Sequence, residues 1–313
     1  MVNLIYQIIR TARPRQWLKN LSLFAAPMFA GQLFVGDKLT NTFEAFIAFC
    51  FLSSGVYFMN DIVDAPEDRK HPIKSNRPIA SGKLPVWIGW ISSLVFVFGA
   101  LTYARFFVGT YFTYALIFYV LVQLFYTLYF RNVIILDSLV VASGFVIRVF
   151  AGGLASTTSI SSWLALTTIG ISLLLAFGKR RSEKTIVTKF SAEKVGTRKT
   201  LRHYPDNLLD SMISMSATYV IITYSLFSFQ VSPQDVGTEW GSFLPSILKS
   251  PKWMMLTIPL VLYGVARYLY VIYEKGEGES PERVLLSDHP LLFTVALWVA
   301  SVLFIFYLLP VIA

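Results

Sequence analysis

Charge is what this chain has least of. Only 14% of its 313 residues are Asp, Glu, Lys or Arg, about half the share of an ordinary soluble domain. That excludes disordered scaffolds and nucleic-acid-binding modules, whose chemistry needs dense charge, and no nucleic acid is expected as a partner. The single cysteine, Cys50, lies in an apolar run, which rules out a disulfide framework and a thiolate zinc site. The three histidines, His71, His203 and His289, form no triad or metal-ligand spacing. Acid is scarcer than base, 18 residues against 27, for a net charge of +9. What is abundant is apolar: 55% of residues are hydrophobic and 16% aromatic, with a mean hydropathy of +0.59.

A membrane-crossing helix needs about 20 mostly apolar residues, because a rise of about 1.5 Å per residue must cover about 30 Å of hydrocarbon. Nine runs qualify: Leu18–Val35, Phe43–Met59, Leu84–Tyr103, Val108–Phe130, Val133–Ala155, Ser161–Phe177, Leu208–Phe229, Met254–Tyr273 and Pro290–Ile312. The expected fold class is therefore an all-α integral membrane protein of nine transmembrane helices, one bundle over residues 1–313 with little chain left for a soluble domain. Residues 1–17 are too polar to span. Within them Leu4, Ile5, Ile8 and Ile9 recur at helical spacing against Arg10 and Arg13, the pattern of an amphipathic helix lying in the membrane interface. A signal peptide also places basic residues before an apolar stretch, but here an aromatic-rich series of spans follows directly.

Orientation follows from the basic residues. With the N-terminus inside, and Lys19 at the edge of the first span counted with it, 21 of the 27 Lys and Arg fall in inside segments and 4 outside, with Arg148 and Arg267 within spans. The expected topology is N-terminus cytoplasmic and C-terminus outside.

Two inside loops, 60–83 and 179–206, carry the chemistry. The first begins Asn60-Asp61-Ile-Val-Asp64-Ala-Pro-Glu67-Asp68 and continues through His71-Pro72, Lys74 and Arg77-Pro78. Asp61, Asp64 and Asp68 are spaced i, i+3, i+7, which places three carboxylates on one helical face, although Pro66 is expected to end or kink the helix. Crowded carboxylates repel unless a cation sits among them, and oxygen-only ligands favour a hard ion such as Mg²⁺, which takes one or two carboxylates together with substrate phosphates and water. Asn60, Asp61, Asp64 and Asp68 are the expected metal ligands, Lys74 and Arg77 the expected phosphate contacts. Glu67 falls off the spacing and is expected in solvent.

The string from Asn60 to Pro78 resembles the signature loop of the UbiA-type intramembrane prenyltransferases, and the nine-span, N-inside layout matches that family over essentially the whole chain. The resemblance implies a helical bundle whose aspartates bind Mg²⁺ and a diphosphate at the cytoplasmic mouth, with an isoprenoid lying in the bundle. The second loop departs from the family. Where typical members carry a second Asp-x-x-x-Asp motif, this chain reads Gly178-Lys179-Arg180-Arg181-Ser182-Glu183, which replaces acid by base and suggests a substrate richer in negative charge.

That replacement is similar to the decaprenyl-phosphate phosphoribosyltransferase branch, as are Arg13-Pro14-Arg15-Gln16-Trp17-Leu18-Lys19-Asn20, the stretch Gly144 to Gly153 around Arg148, and Gly278-Glu279-Ser280-Pro281-Glu282. The branch implies transfer of 5-phosphoribose from phosphoribosyl diphosphate to a polyprenyl (decaprenyl) phosphate with release of diphosphate. It also implies a place in the bacterial inner membrane, a site facing the cytoplasm, and a product feeding decaprenyl-phosphoryl arabinose and cell-wall arabinan. Conventional prenyl transfer to an aromatic or quinone precursor is the alternative within the family. A homo-oligomer is compatible with the sequence.

The resemblance and the residue types together give the remaining expectations. Asp61, Asp64, Asp68 and Lys179 are the expected catalytic set. Lys19, Asn20, Lys74, Arg77, Arg148, Arg180, Glu183, Arg198, Arg202, Tyr204 and Arg267 are expected around phosphate and ribose. Arg148 lies eleven residues, ~16 Å of helix, beyond Asp137, and an arginine so deep normally faces the bundle interior with a partner; an internal ion pair with Asp137 is the other reading. Arg267 could instead snorkel to the interface. The many aromatics of the fourth span, among them Phe112, Tyr119 and Tyr126, are expected mainly in packing and at interfaces. Gly144, Gly152 and Gly153 are expected to permit close helix approach.

Overall fold

The computed structural model describes residues 2–70, 74–189, 204–233, 243–247, 250–275 and 280–312. The helices are α1 (Val2–Ala12), α2 (Ala25–Phe29), α3 (Lys38–Asp68), α4 (Val86–Tyr103), α5 (Thr110–Leu128), α6 (Leu136–Ala155) and α7 (Ser162–Lys189), followed by α8 (Asp206–Gln230), α9 (Ile258–Tyr270), α10 (Pro281–Ser287) and α11 (His289–Leu303). The only strands among the described residues are a two-residue pair, Ser246–Ile247 against Ser250–Pro251. Eight of the described helices, counting the wound turns that extend α4, α9 and α11, are long and apolar enough to cross a membrane.

The first expected span, Leu18–Val35, is not one long helix. Pro14–Phe24 winds as a 3-10 helix, α2 follows for five residues around Pro27, and Gly31 ends the run at φ 67°. Both prolines remove a backbone donor, so a continuous α-helix has no complete ladder here. The segment still covers depth, since eleven 3-10 residues rising about 2.0 Å each match roughly fifteen α-helical ones. Its ends lie at opposite ends of the bundle. Arg13 pairs with Asp61 near the C-terminus of α3, whereas the Leu33 N–H donates to Tyr307 Oη at 3.0 Å, close to where α3 begins.

Close packing of this segment depends on Gly152. A Cβ there would lie 1.9 Å from the Leu23 carbonyl oxygen, so only glycine lets the 3-10 backbone rest on α6. Outward faces are apolar as lipid requires: Trp87, Ile91, Val95 and Phe98 of α4 are all exposed. On α1, Leu4 and Ile8 pack inward beside Phe58 and Ala65, while Ile5, Tyr6 and Ile9 face out and Gln7 and Thr11 are buried. Along α5 the rings of Phe112, Tyr119 and Tyr126, seven residues apart, are buried, whereas Tyr111, Tyr114, Phe118, Phe125 and Tyr129 point out. That inner row supplies hydroxyls to two buried arginines.

Candidate active site

The charged ends of α3, α6 and α7 gather at one end of the bundle, beside the 3-10 segment and α10. Helix α3 continues past Pro66 to Asp68, so Asn60, Asp61, Asp64 and Asp68 share its last turns. The expected break at Pro66 does not occur, because the helix has only two residues left to run and loses one hydrogen bond at most.

Each carboxylate faces an arginine. Asp61, 2% exposed, accepts from Arg13 and, at 3.2 Å, from Arg77 Nη1; the same Arg77 nitrogen lies 2.6 Å from Asp68. Asp64 pairs with Arg131, and Asn60 Oδ1 accepts from Thr127 Oγ1 at 2.7 Å. Lys74 opens a short 3-10 turn and its charge acts on both Asp61 and Asp68. Glu67 is exposed, as expected. Among the described residues no three His, Cys, Asp or Glu converge closely enough to grip an ion. The donor set nonetheless suits a hard divalent cation, being all oxygen and carried by one helix end, with guanidinium groups in place as counter-charges.

A second group lies under the first. Lys19 Nζ is 3.2 Å from Glu282 Oε2, and Gln16 donates its amide to Glu282 while accepting from Lys19. Lys19 and Glu282 line a cavity of about 450 Å³ whose walls are Phe145, Leu174, Val220, Val261, Tyr268 and Trp298 together with further, mostly aliphatic residues. Such an apolar chamber with few polar groups is the usual form of a small-molecule site.

Three expected substrate contacts are instead turned into the protein. Arg180, 2% exposed, sits 2.8 Å from Asp137 Oδ2, pairs with Glu183, and donates to Tyr126 Oη at 3.1 Å. Tyr204, 1% exposed, donates to Asp137 Oδ1 at 2.5 Å and accepts the Ile135 N–H at 2.6 Å. Burial, together with that carboxylate, pushes the Tyr204 phenol up to about 12, so it stays a donor throughout the physiological range. The accepted N–H belongs to a tight turn in which Ile135 has φ 69°, a costly backbone for a β-branched residue.

Arg148 donates to Asn20 Oδ1 at 2.8 Å, the Gly144 carbonyl at 2.6 Å and Tyr119 Oη at 2.9 Å, and stacks on Phe49 and Tyr119. Its partners are neutral, and Asp137 is taken by Arg180, so the alternative ion pair between Arg148 and Asp137 does not form. Asn20, buried, also donates to Ser53 Oγ at 3.4 Å. Arg267 is held bidentately by Asp288, with both contacts at 3.0 Å, and Lys275 joins the same carboxylate at 2.8 Å. The hydrogen bonds from Arg267 hold the Asp288 carboxyl well below the usual range. Lys179 is half-buried at the C-terminal part of α7. Arg198 and Arg202 lie outside the described residues.

Sequence reasoning missed Arg13, Arg131, Gln16 and Glu282 as members of the site. Arg131 is the lone cation of its loop, which was the available signal. Arg13, Gln16 and Glu282 fall within the stretches that carried the resemblance.

Comparison with known proteins sets this geometry in a family. The UbiA prenyltransferase family matches residues 21–287, so the chain belongs to the UbiA prenyltransferase family and is an integral-membrane transferase. A decaprenyl-phosphate phosphoribosyltransferase of Corynebacterium glutamicum is 31% identical over 98% of this chain and 89% of its own length. One from Mycolicibacterium smegmatis is also 31% identical, over 96% and 92%. Among solved structures, a UbiA homolog from Archaeoglobus fulgidus bound to DMAPP and Mg²⁺ superposes with a TM-score of 0.69 at 16% identity, covering 96% of this chain and 99% of that one, which speaks to the fold.

Proposed function

We propose that the protein transfers 5-phosphoribose from phosphoribosyl diphosphate to a polyprenyl phosphate and releases diphosphate. The observation that carries this reading is the near-full-length similarity to relatives named as decaprenyl-phosphate phosphoribosyltransferases. The replacement of the family's second acidic motif by Lys179–Glu183 supports it. In the reaction an oxygen of the lipid phosphate forms a bond to ribose C1 as the bond from C1 to the diphosphate oxygen breaks, and the diphosphate departs with the electron pair. The acceptor is already an anion near neutral pH, so no strong base is required.

Asn60, Asp61, Asp64 and Asp68 are the residues that would hold Mg²⁺, whose charge offsets that building up on the departing diphosphate. Arg13, Arg77 and Arg131, already beside those carboxylates, together with Lys74, bring positive charge to the donor's phosphates. Lys179 lies at the cytoplasmic rim in this reading, with Arg198 and Arg202 assigned to the donor's sugar phosphate from sequence. Arg148 fixes Asn20 and with it the 3-10 segment that presents Lys19. Arg180, Glu183 and Tyr204 hold α6, α7 and the end of the second loop in register, and Arg267 holds α10 and α11 through Asp288. The lipid chain occupies the apolar chamber.

The same reading places nine crossings in a bacterial inner membrane, with the N-terminal 3-10 segment as the first, the N-terminus and site on the cytoplasmic side, and a product that enters cell-wall arabinan synthesis. The distribution of 21 basic residues inside against 4 outside supports that orientation. Purified protein in nanodiscs, given ribose-labelled phosphoribosyl diphosphate, tests the assignment. Label entering the lipid fraction only when polyprenyl phosphate is present is the expected result. Transfer of a prenyl chain from its diphosphate to an aromatic acid would reject it.

A further inference from the structure

Three side chains among those lining the otherwise apolar chamber, Lys19, Tyr268 and Glu282, are able to bind a polar head group. Tyr268 is 5% exposed, and its hydroxyl has no hydrogen-bond partner among the described residues. It lines the chamber together with Lys19 and Glu282. A buried hydroxyl without a partner costs free energy, yet the surroundings preserve this one. A Cβ at Gly178 would fall 2.9 Å from Tyr268 Oη, so glycine at that position leaves the hydroxyl its place. Beside it the Lys19 ammonium is matched by one carboxylate, Glu282, which Gln16 also holds by its amide.

Lys19 and Glu282 cancel one another, and the neutrally held Arg148 acts on Lys19 from outside the chamber. A ligand that enters tail-first into the chamber meets one donor hydroxyl, one ammonium and one carboxylate. A monophosphate head can take the Tyr268 hydrogen bond and share Lys19. A diphosphate head brings further negative charge against Glu282, and among the described residues that line the chamber Lys19 is the one cation; like charges at close range in a poorly solvated site repel strongly. We propose that Tyr268 and Lys19 seat the phosphate of the acceptor lipid, and that Glu282 makes the seat selective for a monophosphate over a diphosphate. The inference rests on the phosphoribosyl-transfer reading and adds to it which residues distinguish acceptor from isoprenyl diphosphate.

The test uses the full chain in nanodiscs with decaprenyl phosphate as acceptor, decaprenyl diphosphate as competitor, and inorganic phosphate as a control. Tyr268→Phe removes only the unpartnered oxygen, so its melting temperature is expected to equal or exceed that of the native protein. Its KM for decaprenyl phosphate is expected to rise about tenfold or more, the value of a hydrogen bond to a charged group, with the KM for phosphoribosyl diphosphate within about twofold. Glu282→Gln is expected to make decaprenyl diphosphate a markedly stronger inhibitor. Lys19→Gln, expected to raise the lipid KM in the same way, provides a second reading if either variant fails to fold.

An unchanged lipid KM in Tyr268→Phe overturns the proposal, as does a rise in the donor KM instead. Protection of the native protein by inorganic phosphate equal to that by the lipid also overturns it, because the seat would then belong to a free phosphate. Prenyl transfer by the native protein would defeat the underlying reading itself, and is recognised by its product rather than by any variant.

Discussion

Replacing Arg180 with glutamine separates a holding role from a substrate-binding one. The guanidinium is 2% exposed and the Asp137 carboxylate 1%, so the substitution leaves that buried charge without its cation and also takes Arg180 from Glu183. Breaking a buried pair by removing one partner costs about 3–5 kcal/mol. Asp137 keeps the hydroxyl of Tyr204 at 2.5 Å, which puts the cost near the lower end, about 3 kcal/mol. At roughly 2–4 °C per kcal/mol for a chain of this order of size, the melting temperature should fall by roughly 6–12 °C. Adding Asp137→Asn removes the more deeply buried of the two carboxylates, so the double variant should recover part of that loss, and the cycle should give a coupling of about 1–3 kcal/mol. Thermal unfolding in detergent followed by tryptophan fluorescence, with KM for both substrates measured at a temperature where each variant is folded, provides both readings. An Arg180→Gln protein that melts like the native one while its KM for phosphoribosyl diphosphate rises tenfold would refute the holding role.

Asp64→Asn should lower turnover by about 10²-fold or more, the scale of losing one group that stabilises developing charge, with little change in melting, measured by label transfer and thermal unfolding together. The Asp288 carboxyl titrates below its unfolded value of about 3.9, so the stability it adds is present above that pH and is lost as pH falls through the lower folded value; the melting difference between native protein and Asp288→Asn should be full at pH 7 and shrink as pH drops below about 4. Gly152→Ala must force Leu23 away from α6, given the 1.9 Å approach of a Cβ to its carbonyl, and should destabilise by about 1–3 kcal/mol as overpacking does; unchanged melting would mean that the 3-10 segment lies elsewhere.

The long helices were legible because a membrane span is written in one continuous run of apolar residues, and the three aspartates were legible because helical spacing alone puts them on one face. The first segment was not, since its composition reads as a span while Pro14, Pro27 and Gly31 decide its winding. Pairings were the least visible part. Arg13 reaches Asp61 across 48 positions and Arg131 reaches Asp64 across 67, distances over which spacing carries no information. Arg148 and Arg180 show the same limit. An arginine within the membrane signals a partner, but only tertiary packing shows that Arg148 is satisfied by Asn20, a carbonyl and aromatic rings, and that the carboxylate of Asp137 belongs to Arg180.

The reaction is defined by which group moves, the phosphoribose or the prenyl chain. Incubating the purified protein with decaprenyl phosphate, phosphoribosyl diphosphate and Mg²⁺, then resolving the lipid by mass spectrometry while titrating released diphosphate, tests it most directly. One phosphoribosyl group gained by the lipid phosphate for each diphosphate released is expected, with neither product in the presence of a chelator. Diphosphate appearing together with a prenylated acceptor, or a lipid left unmodified, would contradict it.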